Sequence, residues 1–351
     1  MKITILWSSL TPYMVALFRC MSEAEGANLQ LIYQPPIDHA PIDEFDLSFC
    51  GELLDARGCS LDKLCRAIRT FHPDCIFMSS WNFTTYRRAC RRLRKDGVFV
   101  VASMDNQYLG TMKQRLGILT SPWFLKPAID TFLVAGDRQA AFARMLGFDD
   151  VMYGFYTAET DRFLTEDVLP SRPPAFLFVG RLVEAKGIRD LASGYRAYRE
   201  SVDNPWDLLI AGTGPLESEI QDVQGITHLG FIQPGELPGI MMKARCLVLP
   251  SRFEPWGVVV HEAAASGMAV IASHRCGSVT MFVRDGVNGY IVPPRARELS
   301  RAMVKIATMT DSELAGMGDA SRTLARLWSP AKLAHYFLES IRERLDMKGR
   351  R

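Results

Sequence analysis

Short, unbroken apolar runs alternate along the chain with stretches of helical character. The first half carries "ITILW", "LQLIYQ", "DCIFMSS", "VFVVASM" and "TFLVAG"; the second carries "AFLFVG", "WDLLIAG", "CLVLPS" and "AVIAS". Runs this apolar, with no polar alternation, are strands buried on both faces. Helical segments between them would cover a parallel sheet on either side, so the pattern predicts an α/β protein with two Rossmann-like, doubly wound sheets facing a cleft. Three prolines and mixed charge mark "LTEDVLPSRPPAF" as the linker. The expected division is a first domain over 1–165, a linker over 166–173, a second domain over 174–327 and a closing segment over 328–351. That segment, "SPAKLAHYFLESIRERLDM", is an amphipathic helix with Ser329 as N-cap and Pro330 at the first helical position.

The start, "MKITILWSSLTPYMVALF", carries one lysine, and Pro12 interrupts its apolar run. It reads as a buried strand, a loop and a helix rather than a signal peptide. No apolar run approaches the ~18 residues needed to span a bilayer. The 351 residues suit two domains, and 48% apolar with 23% charged content is an ordinary globular balance. A net charge of +2 argues against a general nucleic-acid binder. The eight cysteines form no Cys-x-x-Cys pair and several sit in strand-like runs, as expected of reduced thiols in a cytoplasmic protein. The histidines show no ligand spacing, so no metal site is expected.

Candidate chemistry concentrates in the second half. "FLFVGRLVEAKG" runs from a strand into Gly180, then Arg181, with Lys186 five residues on. A guanidinium fork and a mobile ammonium after a glycine suit a diphosphate, though a surface Arg and Lys would look the same. In "LLIAGTGPLESEI", Gly212 and Gly214 make a tight turn after a strand. The loop from Gly230 to Gln233 sits at another strand end, where a base could stack or bond to backbone. By contrast, the first strand-to-helix turn, "LWSSLTPYM", has no glycine, which makes the first domain a poor dinucleotide site.

The stretch "RFEPWGVVVHEAAASG" sets Glu254 and Glu262 around an apolar segment. Pro255 disfavours helical geometry at Glu254 and is tolerated in a first turn, so a helix is expected from about Pro255 to Gly267. Its free N–H groups would favour a phosphate. At ~1.5 Å rise per residue the carboxylates would lie roughly 12 Å apart, beyond the ~5 to 9.5 Å of a glycosidase pair. They suit two ends of one elongated ligand, or else a solvated Glu254 and a buried, backbone-bonded Glu262.

The ordered run "FVGRLVEAKG … AGTGP … LGFI … PSRFEPWGVVVHEAAASGMAVIASHRCGS … DGVNGYIV" closely resembles the retaining nucleotide-sugar glycosyltransferases of GT-B fold, of the large family 4 or group 1 type. The likeness covers nearly all of 174–294 and extends more loosely to the first domain. It implies a metal-independent transferase moving a hexose from a UDP- or GDP-sugar to a glycan or lipid-linked acceptor. Arg181 and Lys186 would neutralise the diphosphate, Glu262 would hold the ribose, and Glu254 with the backbone of Trp256, Gly257 and Val258 would hold the donor sugar and β-phosphate. Ile232 would meet the base through its backbone, and Gly212 would belong to the donor loop. No cofactor beyond the nucleotide-sugar is implied. The closing helix would cross back onto the first domain. A non-catalytic nucleotide-sugar-binding subunit and a nucleotide-sugar epimerase are the alternatives.

The first domain departs from the family at one point. Many members carry a histidine after the fifth strand; the matching position here is Met104, followed by Asp105 and Asn106. Asp105 is therefore the candidate for a polar catalytic role, or else a loop-capping aspartate. Acceptor contacts are expected from Thr11, Tyr13, Trp81 and Asn82. "YRRACRRLRKDG" gathers basic residues on a helix, and "SPWFL" is apolar. Together they suggest a solvated face or peripheral contact with an anionic membrane at the cytoplasmic side.

Overall fold

A computed structural model describes residues 1–34 and 45–349. The chain forms two compact units, Met1–Thr157 with Pro330–Arg351, and Ala158–Ser329. The first holds a seven-stranded parallel sheet of β1 (Lys2–Trp7), β2 (Asn28–Tyr33), β3 (Glu52–Asp55), β4 (Cys75–Met78), β5 (Phe99–Met104), β6 (Thr131–Val134) and β7 (Val151–Tyr153), in the order β3-β2-β1-β4-β5-β6-β7. The second holds a six-stranded parallel sheet of β8 (Ala175–Val179), β9 (Asp207–Ala211), β10 (Ile226–Gly230), β11 (Cys246–Leu249), β12 (Ala269–Ser273) and β13 (Gly289–Val292), in the order β10-β9-β8-β11-β12-β13. In each sheet the order reverses beside the first strand, so each has a switch point, at β1/β4 and at β8/β11. Ligands of open α/β sheets bind beyond the strands' carboxyl ends at such points.

The opening segment forms β1 and the helix Pro12–Glu23. An aromatic cluster fixes the first core: Trp7 meets Phe18 at 5.1 Å and Phe77 at 5.2 Å, and Phe77 meets Phe337 of the closing helix at 4.9 Å. That helix, Pro330–Gly349, belongs to the first unit and lies along the helix Pro12–Glu23. Arg344 forms an ion pair with Asp150 at 2.5 Å, and the Tyr336 hydroxyl accepts from the Tyr153 N–H at 3.3 Å.

The boundary falls elsewhere than the proline content suggested. Residues 158–173 belong to the second unit, so neither the first domain's extent to 165 nor a free linker over 166–173 describes the fold. The short helix Thr160–Phe163 packs on the helix Val258–Ala265. Arg172 is buried, pairs with Asp167 at 2.6 Å and donates to the Ser266 carbonyl at 2.5 Å. The Asp167 carboxyl is held below its usual range chiefly by its hydrogen bond from Arg172. A buried guanidinium needs such partners, and these ones tie the proline segment to the second unit.

Candidate functional site

The loops after β8, β9 and β10 are joined backbone to backbone. Gly180 N–H donates to Ala211 O at 2.9 Å, Leu182 N–H to Thr213 O at 2.9 Å, and Gly212 N–H to Gly230 O at 2.7 Å. Gly212 is required twice over. Its φ is +135°, and a Cβ there would lie 2.0 Å from the Gly180 carbonyl oxygen. Thus Gly212 acts by letting the β9 loop lie against the one that presents Arg181. Ile232, half-buried, follows two residues after β10.

The β11 loop joins the same edge. Arg252 and Phe253 both donate their N–H groups to Ala185 O, at 2.9 and 3.1 Å. This brings Glu254 to Lys186, and the two form a tight ion pair, their side chains 11% and 20% exposed. Arg181 is exposed and has no ion-pair partner among the described residues. The two expected cations therefore stand at the β8/β11 switch point in different states. One is bound to a carboxylate and the other is open to an incoming anion.

The helix begins later than Pro255. Glu254 pairs in a parallel bridge with Cys276, and the carbonyls of Glu254 and Trp256 accept from Gly277 and Ser278, at 3.2 and 3.0 Å. Those bonds hold 254–256 out of the helix. Gly257, at φ +89°, is the N-cap, and the helix runs Val258–Ala265 with no side chain capping its start. Glu262 is thus little more than one turn in, and the ~12 Å separation for a continuous helix does not apply. The Trp256 ring is buried against Phe282, so only its backbone faces the loop edge.

Glu262 is half-buried and its carboxyl is pushed up to about 7. Burial is the main cause; Arg162 opposes the shift and Glu159 adds to it. Arg162 itself pairs with Glu159 at 2.9 Å and reaches Pro234 O at 3.5 Å, beside the Ile232 loop.

His261, its neighbour, was not singled out by spacing, and nothing in the sequence but adjacency to Glu262 marks it. The ring stacks on Phe282 with centroids 3.9 Å apart. Its Nδ1 accepts from the Ala158 N–H at 2.9 Å, which leaves Nε2 as the donor to Ala325 O at 3.1 Å. Burial lowers its pKa to about 4, so it is a neutral pin under the Glu262 helix.

In the first unit, Met104 is buried at the end of β5, while Asp105 lies at the edge of a cavity of about 410 Å³. Tyr156 OH donates to Asp105 Oδ2 at 3.1 Å, and Gln139 Nε2 donates to its carbonyl at 2.9 Å. Ser8, Thr11, Tyr13, Asn82 and Asn106 also line this cavity, which has no lysine or arginine among the described residues that line it. Trp81 lies outside it; its ring meets Phe132 at 5.2 Å. The structure thus gathers Arg181, Lys186 and Glu254 in the second unit, with Gly212 and Ile232 on adjoining loops and Glu262 on the following helix. Asp105 stands at the equivalent edge of the other sheet.

Residues 173–309 match the family described as glycosyl transferases group 1. An uncharacterized glycosyltransferase of Methanocaldococcus jannaschii is 34% identical over 262 residues, 72% of this chain and 64% of that protein. The alpha-D-kanosaminyltransferase of Streptomyces kanamyceticus is 27% identical over 181 residues, 49% of this chain and 44% of that enzyme. The matched region thus spans about half to two thirds of these relatives. Among solved structures, a sucrose-phosphate synthase from Thermosynechococcus elongatus superposes with TM-score 0.76 at 18% identity, covering 99% of this chain and 100% of that one. An Anabaena protein solved with UDP and glucose superposes with TM-score 0.73 at 15% identity, covering 97% and 99%. These likenesses establish the fold.

Proposed function

We propose that this chain, which belongs to the group 1 glycosyl transferases and has the GT-B fold, is a retaining, metal-independent hexosyltransferase that moves a sugar from a UDP- or GDP-sugar to a glycan or lipid-linked acceptor. The observation that carries the reading is the Lys186–Glu254 ion pair at the β8/β11 switch point, with exposed Arg181 on the loop that follows β8 and Glu262 one turn into the next helix. The diphosphate lies against Arg181, Lys186 and the uncapped N–H groups at Val258. Lys186 moves from Glu254 to phosphate, and the freed carboxylate accepts hydroxyls of the donor sugar. Ionised Glu262 accepts both ribose hydroxyls. As the bond from the sugar's anomeric carbon to the β-phosphate oxygen breaks, the cations stabilise the departing charge. The acceptor hydroxyl bonds to that carbon from the same face, and its proton passes to the departing phosphate. Asp105 orients the acceptor in the polar cavity of the first unit. The Anabaena structure's UDP supports a uridine donor.

Titration calorimetry with UDP and GDP tests the donor site. One nucleotide binds, and Arg181→Ala weakens it about tenfold or more at an unchanged melting temperature. Equal affinity in the folded variant sinks the reading. Asp105→Asn separates the two roles: kcat falls about 10- to 100-fold while donor affinity stays, because this residue lies outside the donor loops. A kcat like the wild type's reduces Asp105 to a loop residue. Nucleotide binding without turnover over a broad acceptor panel points to a non-catalytic subunit.

A further inference from the structure

The helix Met112–Phe124 is built the wrong way round for a core helix. Its only fully buried residue is Ser121. Met112, Leu116, Leu119 and Trp123 instead form one stripe, spaced four, three and four residues apart, and are 76%, 61%, 66% and 68% exposed. At 3.6 residues per turn these four share a face roughly opposite Ser121. Leu109, just before the helix, is 52% exposed. Scattered apolar side chains on a surface need no account, but a continuous helical stripe does.

Charge indicates what covers it. From Asn106 to Ile129 the chain has no carboxylate, only Lys113, Arg115 and Lys126. Lys113 and Arg115 flank the stripe on either side. The neighbouring helix, Thr84–Leu93, is joined by Arg87, whose guanidinium lies 5.3 Å from the Phe124 ring centre. It continues the cationic surface with exposed Arg88 and Arg91, and Lys95 follows. Lys113, Arg115, Arg88, Arg91 and Lys95 have no ion-pair partner among the described residues. An apolar stripe between cations fits the interface of an anionic bilayer, with side chains in the acyl boundary and cations at the headgroups.

A route leads inward from this surface. Leu116, Thr120 and Phe124 of the same helix line a cavity of about 510 Å³ together with Trp81, Asn82 and Asn106. Asn82 and Asn106 also line the polar cavity that holds Asp105, so the two cavities adjoin. We propose that the helix Met112–Phe124 docks this protein on anionic membranes through Met112, Leu116, Leu119 and Trp123, and that its acceptor is lipid-linked, taken from that membrane along the joined cavities. The docking stands on the surface alone; the acceptor class rests on the transferase reading.

Sedimentation with phosphatidylcholine vesicles, with and without phosphatidylglycerol, tests the docking with no substrate present. The whole chain sediments with the anionic vesicles, and less so at high salt. Brominated lipid quenches Trp123, read as the difference between wild type and Trp123→Phe. The pair Leu119→Ser, Trp123→Ser lowers vesicle affinity about tenfold or more, with melting temperature and UDP or GDP affinity as in the wild type. Wild-type protein that stays in the supernatant, or a double variant that sediments like it, overturns the proposal. So does a dimer in lipid-free solution that the double variant abolishes, because a second copy then covers the stripe. Failure of nucleotide binding in the wild type would instead strike the donor site and leave the docking result standing. Once docking holds, transfer to a soluble glycan that matches transfer to the lipid-linked form of the same glycan overturns the acceptor class.

Discussion

Lys186→Ala lowers kcat/KM for transfer by about 10²–10³-fold and destabilises the ligand-free protein by roughly 2–3 kcal/mol. The two losses have different origins. On the proposed transferase reading, the kinetic loss is that of a cation facing the departing diphosphate. The stability loss comes from Glu254, which is buried beside Lys186 and would be left as an unpaired carboxylate. A double-mutant cycle separates them. Lys186→Ala with Glu254→Gln recovers most of the stability, because the stranded charge is gone, but none of the activity. Melting curves and steady-state kinetics on the four proteins complete the test. Additive stability effects would show that the ion pair does not matter to the ligand-free state. An active Lys186→Ala would remove Lys186 from the chemistry.

The same pair shows what the sequence could and could not say. Glycine, arginine and lysine after a strand pointed to an anion loop, and the two glutamates to an elongated ligand. That Lys186 and Glu254, 68 residues apart, hold each other depends on the neighbouring β8 and β11 and on the N–H groups of Arg252 and Phe253 meeting Ala185. Neither local pattern encodes that. The helix starts at Val258 rather than Pro255 for a related reason. Pro255 permits a first turn, but the strand-like bridge from Glu254 to Cys276 claims that backbone first. Tertiary pairing overrode a local signal.

Strand identity followed burial. All nine apolar runs are strands, whereas β3, β7, β10 and β13, which the pattern did not single out as such runs, are the four edges of the two sheets. Edge strands have a neighbour on one side only, and these are short and partly exposed, as in "ELLD" and "ITHLG", so they lose the continuous apolar signal. Met104 and Asp105 divide by the same logic. Met104 completes a buried strand, and Asp105 is the first residue free to face the cavity.

With Glu262 as the proposed ribose ligand, nucleotide binding is linked to pH. Its carboxyl is raised from 4.5 to about 7 in the folded protein, mainly by burial. A raised carboxyl pKa means that the ionised form is the costly one. The stability this group contributes is complete below pH 4.5 and is lost as pH rises through about 7. Glu262→Gln, neutral throughout, is accordingly more stable than wild type at pH 8. Allowing for its partial exposure, the gain is on the order of 2 kcal/mol, read as a melting temperature several degrees higher, and it shrinks toward pH 5. Nucleotide affinity runs in the opposite direction. Two ribose hydroxyls need an ionised acceptor, so wild-type UDP or GDP affinity falls as pH drops below about 7, approaching tenfold per unit, with a proton released on binding. The variant binds weakly at every pH and without that slope. Calorimetry in two buffers of different ionisation enthalpy reads the proton directly. A flat wild-type profile between pH 5.5 and 8 would separate Glu262 from the ribose, whatever its effect on stability. A stabilised variant that still binds like wild type would leave its carboxylate as a cost with no ligand to explain it.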